Sequence, residues 1–212
     1  MLNGTTRGRL EGLLEEARAK GALGPGPVGP HVDHALAMTE LAGVVPARFV
    51  DLGSGAGLPG LVAALVWPDA EALFLEAHGR RAAGLANAAQ ELGLHHCTVR
   101  QARAEDVARE PAHRERYDLV LARSFGPPAT TAECATGFLR PGGCMVVAEP
   151  PEEDVHRWPA DGLADLGLGP PQRRRTQEVT VAVIPKVAPT DDRWPRRTGV
   201  PAKRPWWEAP SE

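Results

Sequence analysis

The chain has 212 residues, of which 42% are apolar, and it carries a formal net charge of −3. This length predicts one α/β domain with short extensions, and the charge excludes a general polycation, so any nucleic-acid contact must come from a local basic patch. Because the sequence shows no membrane-length apolar run or signal peptide, and because Cys97, Cys134 and Cys144 lack metal-ligand spacing, we expect a cytoplasmic protein without membrane contact or metal.

Two predicted helices begin the chain. In residues 7–20 apolar side chains recur at helical spacing, and Gly21 ends the segment. Residues 24–30 are a linker rich in proline and glycine, which predicts neither helix nor strand, and a second helix is expected over residues 31–41. We interpret residues 1–45 as an N-terminal helical cap on the domain that follows.

The next stretch predicts the first strand, turn and helix of a nucleotide-binding α/β sheet. An apolar strand over residues 48–52 runs into a glycine-rich turn and then into an apolar helix over residues 61–67. Glycine permits positive φ and a close approach of the backbone to a ligand, and the start of the helix offers unpaired N–H groups. A turn without a ligand would not require three alternating glycines, because each one costs stability.

The glycine spacing leaves two alternatives for the ligand. Gly55, Gly57 and Gly60 fit the dinucleotide pattern, which on its own is a weak signal. However, Asp51 closes the strand just before three alternating glycines (Gly53, Gly55 and Gly57), and this arrangement resembles the first motif of class I methyltransferases, which use S-adenosylmethionine. We therefore favour S-adenosylmethionine over NAD, with Asp51 and the three glycines as cofactor-binding residues.

Strands and helices continue to alternate along the rest of the chain. We predict strands over residues 72–76, 97–100, 117–122, 144–148 and 178–184, and helices over residues 79–92 and 130–139, with a weaker helical pattern over residues 152–168. Residues 139–143 are expected to form a turn. Arg173–Arg175 is expected to be a solvated loop, with contact to RNA as the alternative. This order predicts a Rossmann-like, mostly parallel, doubly wound sheet over residues 46–188, with an antiparallel late strand.

Further candidate site residues lie at the predicted carboxyl edge of this sheet. Glu76 ends the second strand, where a carboxylate can accept hydrogen bonds from two ribose hydroxyls; the alternative is a solvated acid at a strand end. In the class I methyltransferase fold the turn after the third strand faces the adenine, and Ala104 and Glu105 occupy that turn. Arg123 follows the fourth strand, where we expect the methyl group to lie.

Residues 189–212 form a basic tail rich in tryptophan and proline. Its cations include Arg196, Arg197, Lys203 and Arg204, with tryptophans between them. Basic residues with interleaved aromatics suit a surface that follows phosphates and stacks on bases, so these four are candidate RNA-binding residues. An equally good interpretation is a tail that its tryptophans attach to the domain, and both can hold at once.

Taken together, these motifs resemble the family of small-subunit (16S) ribosomal RNA guanine-N7 methyltransferases, once called glucose-inhibited division protein B. The resemblance rests on five segments: Asp51–Gly60 with its Pro-Gly pair, Glu76–Arg81, Arg103–Glu105, Leu121–Phe125 and Trp194–Pro205. It extends from about His34 to Pro205. The chain departs from the family pattern at Glu149-Pro150, where family members often carry a lysine, and only loosely matches the family's N-terminal His…Asp-Ser-Leu helix at His31–Leu36.

The resemblance implies a function and a set of site residues. Residues that would bind S-adenosylmethionine are Gly53, Leu58, Ala104, Glu105 and Arg123, and Arg123 would also lie near the guanine as the catalytic residue. The implied partner is ribosomal RNA or the small ribosomal subunit. Two alternatives stay open: a methyltransferase of the same fold that acts on a small molecule, and a non-catalytic, ribosome-associated protein that binds the cofactor.

Overall fold

In the computed structural model, which describes residues 2–152, 154 and 156–208, the strands lie in one mixed sheet. They are β1 (Arg48–Leu52), β2 (Glu71–Glu76), β3 (Cys97–Gln101), β4 (Tyr117–Ala122), β5 (Leu139–Glu149), β6 (Gln172–Arg175) and β7 (Thr180–Pro185). Their order is β3-β2-β1-β4-β5-β7-β6, with β1 to β5 mutually parallel and β7 antiparallel to both of its neighbours. This confirms the predicted doubly wound sheet with an antiparallel late strand.

Helices cover both faces of the sheet. They are α1 (Gly4–Ala19), α2 (Val28–Ala42), α3 (Gly60–Val66), α4 (Gly79–Glu91), α5 (Ala104–Val107), α6 (Pro128–Thr136), α7 (Ala160–Asp165) and α8 (Val200–Lys203). The first four pack on one face and share an apolar cluster with Phe49 and Leu121, whereas α5, α6 and α7 pack with Val50 and Val120 on the other face. No helix in the part of the chain that the structure describes is long and apolar enough to cross a membrane.

The predicted linker over residues 24–30 is wrong in its last three residues. The second helix already begins at Val28, with Pro27 at its N-cap, so Pro30 lies inside the first helical turn. Proline does little harm there, because the N–H groups of the first turn have no intrahelical acceptor. The helix then ends at Ala42, and Gly43 at its C-cap adopts the left-handed conformation (φ 68°).

Strand β5 is longer than the sequence predicts. The expected turn over residues 139–143 belongs to the strand, and the preceding helix ends at Thr136 instead of residue 139. Tyr117 pairs with Leu139 but Leu119 pairs with Cys144, so the segment between these β5 residues bulges out of the ladder. A bulge of this kind depends on the pairing strand and is therefore not visible in the local glycine pattern.

Two predictions in the last third of the domain are also wrong. Of the weak helix over residues 152–168 only α7 forms, and residues 153 and 155 lie outside the described residues. The predicted solvated loop at Arg173–Arg175 is the edge strand β6. Arg174 Nη1 donates to the carbonyls of Leu41 and Ala42 (2.9 Å each) at the end of α2, where a cation complements the helix dipole.

Two glycine substitutions test the packing beneath α3, the helix that follows β1. A Cβ atom at Gly60 would lie 2.5 Å from Asp51 Oδ2 and 2.9 Å from Phe74 Cε1, whereas a Cβ at Gly84 in α4 meets nothing within 4 Å. We expect Gly60→Ala to lower the free energy of unfolding by about 1–3 kcal/mol through overpacking. Gly84→Ala should raise it by about 0.5–1 kcal/mol through helix propensity. Urea titration measures both, and equal stabilities would contradict this packing.

Candidate functional site

The carboxyl ends of the five parallel strands form one edge of the sheet. These strands end at Leu52, Glu76, Gln101, Ala122 and Glu149. The chain order reverses around β1, whose neighbours are β2 on one side and β4 on the other. Ligands of doubly wound sheets bind outside the carboxyl ends at such a switch point. The residues predicted to bind cofactor all lie on the loops or strand ends at this edge.

The glycine loop adopts a backbone that side chains disfavour. Gly53, Gly55 and Gly57 have φ angles of +64°, +56° and +100°. Space is also restricted, because a Cβ at Gly57 would lie 2.3 Å from Leu61 Cδ1, and a Cβ at Gly53 would lie 2.8 Å from the Phe125 ring. Both the conformation and the close contacts therefore require glycine here.

Asp51 lies beneath this loop and is fully buried. Its Oδ2 accepts a hydrogen bond from the Gly60 N–H (3.1 Å), and its Oδ1 has no hydrogen-bond partner among the residues that the structure describes. Burial raises the pKa of this carboxyl to about 7, although the contacts with Ser54 and Gly60 oppose the shift. Asp51 thus fixes the junction between the loop and α3, and it keeps one carboxylate oxygen uncommitted.

Glu76 lies one strand away and is also buried. Its Oε2 accepts from the Gly55 N–H (3.0 Å) and its Oε1 from the His78 N–H (2.7 Å). The predicted alternative, a solvated strand-end acid, is therefore wrong, because the carboxylate ties the glycine loop to the end of β2. An ionised carboxylate has about four acceptor sites, so two remain for other donors such as ribose hydroxyls.

Ala104 and Glu105 begin helix α5 directly after β3. Because they lie in the first helical turn, their N–H groups have no intrahelical acceptor and are suited to hydrogen-bond a ligand. The Glu105 side chain is buried, and its Oε1 accepts from the Gly199 N–H of the tail (3.0 Å). Any ligand contact at this position is therefore more compatible with the backbone than with the carboxylate. The side chain of Leu58 is likewise buried, so its contact too would be made by the backbone.

Arg123 follows the end of β4 and connects it to the second helix, α2. Its Nη2 donates to His31 Nδ1 (2.6 Å), and its Nη1 donates to the His31 carbonyl (3.3 Å). Burial lowers the pKa of Arg123, and burial followed by the nearby guanidinium lowers the pKa of His31. The sequence did not identify His31 as a partner of Arg123; the only local signal was a histidine near the start of the second helix.

Two cavities adjoin this edge. The one at the ends of β4 and β5 has a volume of about 300 Å³, and Arg123, Phe125, Thr131, Glu149 and Arg157 are among its lining residues. Glu149 pairs with Arg157 (Nε–Oε1 3.0 Å). A larger cavity of about 720 Å³ lies between α1 and α4 beside Gly55. Of these two cavities, the smaller is the one that Arg123 lines.

The structure gives the four candidate RNA-binding residues of the tail two different environments. Arg196 forms a bidentate pair with the buried Glu133 (Nη2–Oε2 2.6 Å), which attaches it to helix α6. Arg197, Lys203 and Arg204 are exposed. Trp194 is only 1% exposed, so this part of the tail is attached to the domain, while residues 209–212 lie outside the described residues.

The cysteines contribute to the core. All three are free thiols, and Cys97 and Cys144 lie in strands as predicted. Burial raises the pKa of each thiol, that of Cys97 to about 12, which favours the unreactive protonated form. Within residues 2–152, 154 and 156–208, no group of three or more histidine, cysteine or acidic side chains is placed to hold a metal ion.

Comparison with known proteins relates this chain to one family. Residues 30–156 match the family model described as rRNA small subunit methyltransferase G. A Roseiflexus castenholzii protein named Ribosomal RNA small subunit methyltransferase G is 39% identical over 170 residues, which cover 77% of this chain and 72% of that protein. The protein of the same name from Moorella thermoacetica is 37% identical over 166 residues, with 75% and 69% covered.

Solved structures show the same fold at low sequence identity. An O-methyltransferase family protein from Burkholderia thailandensis has a TM-score of 0.57 at 15% identity, covering 76% of this chain and 56% of that chain. A T. thermophilus 16S rRNA N2 methyltransferase, solved in complex with AdoMet and guanosine, has a TM-score of 0.53 at 21% identity, covering 76% and 40%. At these identities the likeness shows the class I methyltransferase fold.

The raised pKa of Asp51 predicts a pH dependence of stability. Since the folded-state pKa of about 7 exceeds the ordinary value of 3.8, the protonated carboxyl stabilises the fold below pH 3.8, and this contribution is lost as the pH rises through 7. Asp51→Asn imitates the protonated form at every pH. Relative to this variant, the unfolding free energy of the wild type should fall by up to about 4 kcal/mol between about pH 4 and pH 8. Urea titrations that give parallel pH profiles would contradict a buried, titrating Asp51.

Proposed function

The chain belongs to the rRNA small subunit methyltransferase G family, and from this premise we propose that it transfers a methyl group from S-adenosylmethionine to N7 of a guanine in 16S ribosomal RNA. One observation carries the proposal: the left-handed glycine loop lies over a buried acid at the switch point of the sheet, next to a cavity that Arg123 lines. The loop supports the choice of cofactor, and the cavity supports the choice of substrate.

The residues under the loop favour a cationic cofactor over a dinucleotide. S-Adenosylmethionine supplies a methyl group on a sulfonium and also carries an ammonium group. Asp51 presents an uncommitted Oδ1 below the loop, and Glu76 is a second buried acid at the same edge. Of these two acids, Asp51 is the one that favours a cation over a pyrophosphate, because an acid at the position of Glu76 also binds the ribose in dinucleotide sites. A bound cation would also lower the raised pKa of Asp51, and thereby ionise it at neutral pH.

Other groups at the edge complete the proposed cofactor site. The remaining acceptor sites of Glu76 suit two ribose hydroxyls, because its other sites already hold Gly55 and His78. The N–H groups of Ala104 and Glu105 are suited to hydrogen-bond the adenine edge. Both residues lie in the first turn of α5, where N–H groups have no intrahelical acceptor. Backbone N–H groups at Gly53 and Leu58 suit the methionine part of the cofactor, since the glycine loop brings main chain to the ligand without side chains in between.

For methylation at N7, the protein mainly has to orient the cofactor and the guanine. Guanine N7 has a lone pair and needs no deprotonation before it accepts a methyl group, so a nucleophile or strong general base is unnecessary. Arg123 can donate to the neighbouring O6 of the base, and the Phe125 ring can stack on an extruded guanine. Holding the two reactants in line is therefore the main contribution of these residues.

The exposed cations of the tail supply contacts to the RNA backbone. Arg197, Lys203 and Arg204 are exposed, and the tail that carries them is attached beside α5 at the same edge of the sheet. Phosphate contacts of this kind hold the RNA without reading its sequence. RNA binding by this protein should therefore weaken steeply as salt is added.

Mapping of modified guanines tests the proposal most simply. Ribosomal RNA from cells with and without this protein is digested and analysed by mass spectrometry. We expect one guanine of 16S RNA to carry a 7-methyl group only when the protein is present. An unchanged modification map, together with methyl transfer to a small molecule, would contradict the proposal, as would cofactor binding without any transfer.

Substitution of Arg123 tests the catalytic assignment. Arg123→Ala removes the donor at the base cavity and the contact to His31. We expect kcat/KM for RNA methylation to fall at least about 100-fold, with an unchanged circular dichroism spectrum. The exposed Arg175 on the edge strand β6 provides a matched control, since Arg175→Ala removes the same charge away from the site. Full activity of Arg123→Ala would end the assignment.

A further inference from the structure

Glu133 is a buried acid with no role in the proposed chemistry. It lies in helix α6, and its side chain is fully inaccessible to solvent. A buried carboxylate is costly unless it is paired and hydrogen-bonded. Here one residue, Arg196, supplies those partners: its backbone N–H at 2.7 Å, its Nε at 2.9 and 3.1 Å from the two oxygens, and its Nη2 at 2.6 Å.

The same arginine also holds the far end of the basic segment. Arg196 Nη2 donates to the carbonyl of Arg204 (2.7 Å), so one guanidinium fixes both ends of residues 196–204. The guanidinium further lies 5.5 Å from the ring centre of Trp194 and 5.6 Å from that of Trp206. These contacts occupy Nε and Nη2 of Arg196 and hold its guanidinium against the domain, whereas its neighbour Arg197 is exposed.

Three other contacts hold the middle of this segment against the edge of the sheet. The Gly199 N–H donates to Glu105 Oε1 (3.0 Å), and Thr130 Oγ1 donates to the Pro201 carbonyl (3.0 Å). Thr198 also hydrogen-bonds Asp106 in the first turn of α5. The segment is therefore attached where β3 ends, beside the residues proposed to contact the adenine.

We propose that Glu133 is a positioning residue for RNA. It holds Arg196, and Arg196 in turn holds residues 196–204 so that Arg197, Lys203 and Arg204 present a fixed phosphate-binding surface at the edge of the sheet. This inference rests on the proposed function, because it assumes an RNA substrate. It differs from the expectation that all four cations touch RNA, since it gives the two adjacent arginines opposite roles.

The proposal makes a prediction opposite in sign to simple electrostatics. Glu133→Gln removes a negative charge from the protein, so a purely electrostatic effect would strengthen binding to RNA. If Glu133 acts through Arg196, the same substitution releases the basic segment and weakens binding. Arg196→Lys is a second variant, and it leaves the net charge unchanged. Lysine lacks the planar fork of arginine, so it cannot make the bidentate pair with Glu133 and also reach the Arg204 carbonyl.

The experiment measures RNA affinity as a function of salt with the full-length protein. The probe is a fluorescently labelled fragment of 16S ribosomal RNA, titrated with wild type, Glu133→Gln, Arg196→Lys and Arg197→Gln. Removing Arg197 should lower the salt slope by about 1, the effect of one phosphate contact. Glu133→Gln and Arg196→Lys should each weaken binding about tenfold or more and lower the slope by about 2–3, because three cations lose their positions together. Truncation is unsuitable, because removal of residues 196–212 would also remove Trp207, which packs against the core.

Two further measurements distinguish loss of the segment's position from loss of the fold. Both positioning variants should raise KM for RNA while the dissociation constant for S-adenosylhomocysteine stays within about threefold of wild type. Proteolytic cleavage of the chain after Arg197 or Lys203 should be faster in both variants than in wild type, because residues 196–204 are released from the domain. RNA binding by Glu133→Gln and Arg196→Lys that equals or exceeds that of wild type would overturn this inference alone. A wild-type protein that binds no RNA at any salt concentration would overturn both this inference and the proposed function.

Discussion

The contact between the buried Asp51 carboxylate and the Gly60 N–H is the constraint on which the site depends. It joins the end of β1 to the start of α3, and the glycine loop between them adopts positive φ at Gly53, Gly55 and Gly57. Glu76 then ties this loop to β2 through the Gly55 N–H. Two acids, each buried next to backbone donors, thus shape an edge where main chain can approach a ligand.

Three polar contacts bring distant parts of the chain to the same edge. Arg123 reaches the N-terminal helix at His31, Glu105 reaches the tail at Gly199, and Glu133 reaches it at Arg196. Each contact joins residues more than 60 positions apart, so helix α2 and residues 196–199 of the tail are attached to the sheet domain. Through the Glu105–Gly199 contact, the proposed cofactor site at α5 is connected directly to the basic tail.

The sequence predicted the parts of the fold that depend on local pattern. The strand, glycine loop and helix around Asp51 were recognisable because apolar runs and glycine spacing specify them directly. By contrast, the bulge in β5 depends on its pairing with β4, and β6 is three arginines and a glutamine whose strand conformation comes from pairing with β7. Tertiary pairing overrode local preference in both cases.

The same distinction between local pattern and tertiary contact explains which site residues could be located from the sequence. Glu76 and Arg123 could be located from their positions after strands, because parallel strands place their carboxyl ends together. The different environments of Arg196 and Arg197 could not be predicted, since both are arginines in a basic stretch. They are distinguished by the buried Glu133, which lies on a distant helix. Likewise, no local pattern links His31 to Arg123 across 92 positions.

The most direct test of the account is calorimetric titration of the purified protein with S-adenosylhomocysteine and, separately, with NADH. The account holds that buried acids and left-handed glycines at the edge of the sheet select an adenosine derivative that lacks a pyrophosphate. It predicts a saturable heat of binding for S-adenosylhomocysteine and none for NADH. Clear binding of NADH with no heat from S-adenosylhomocysteine would contradict it.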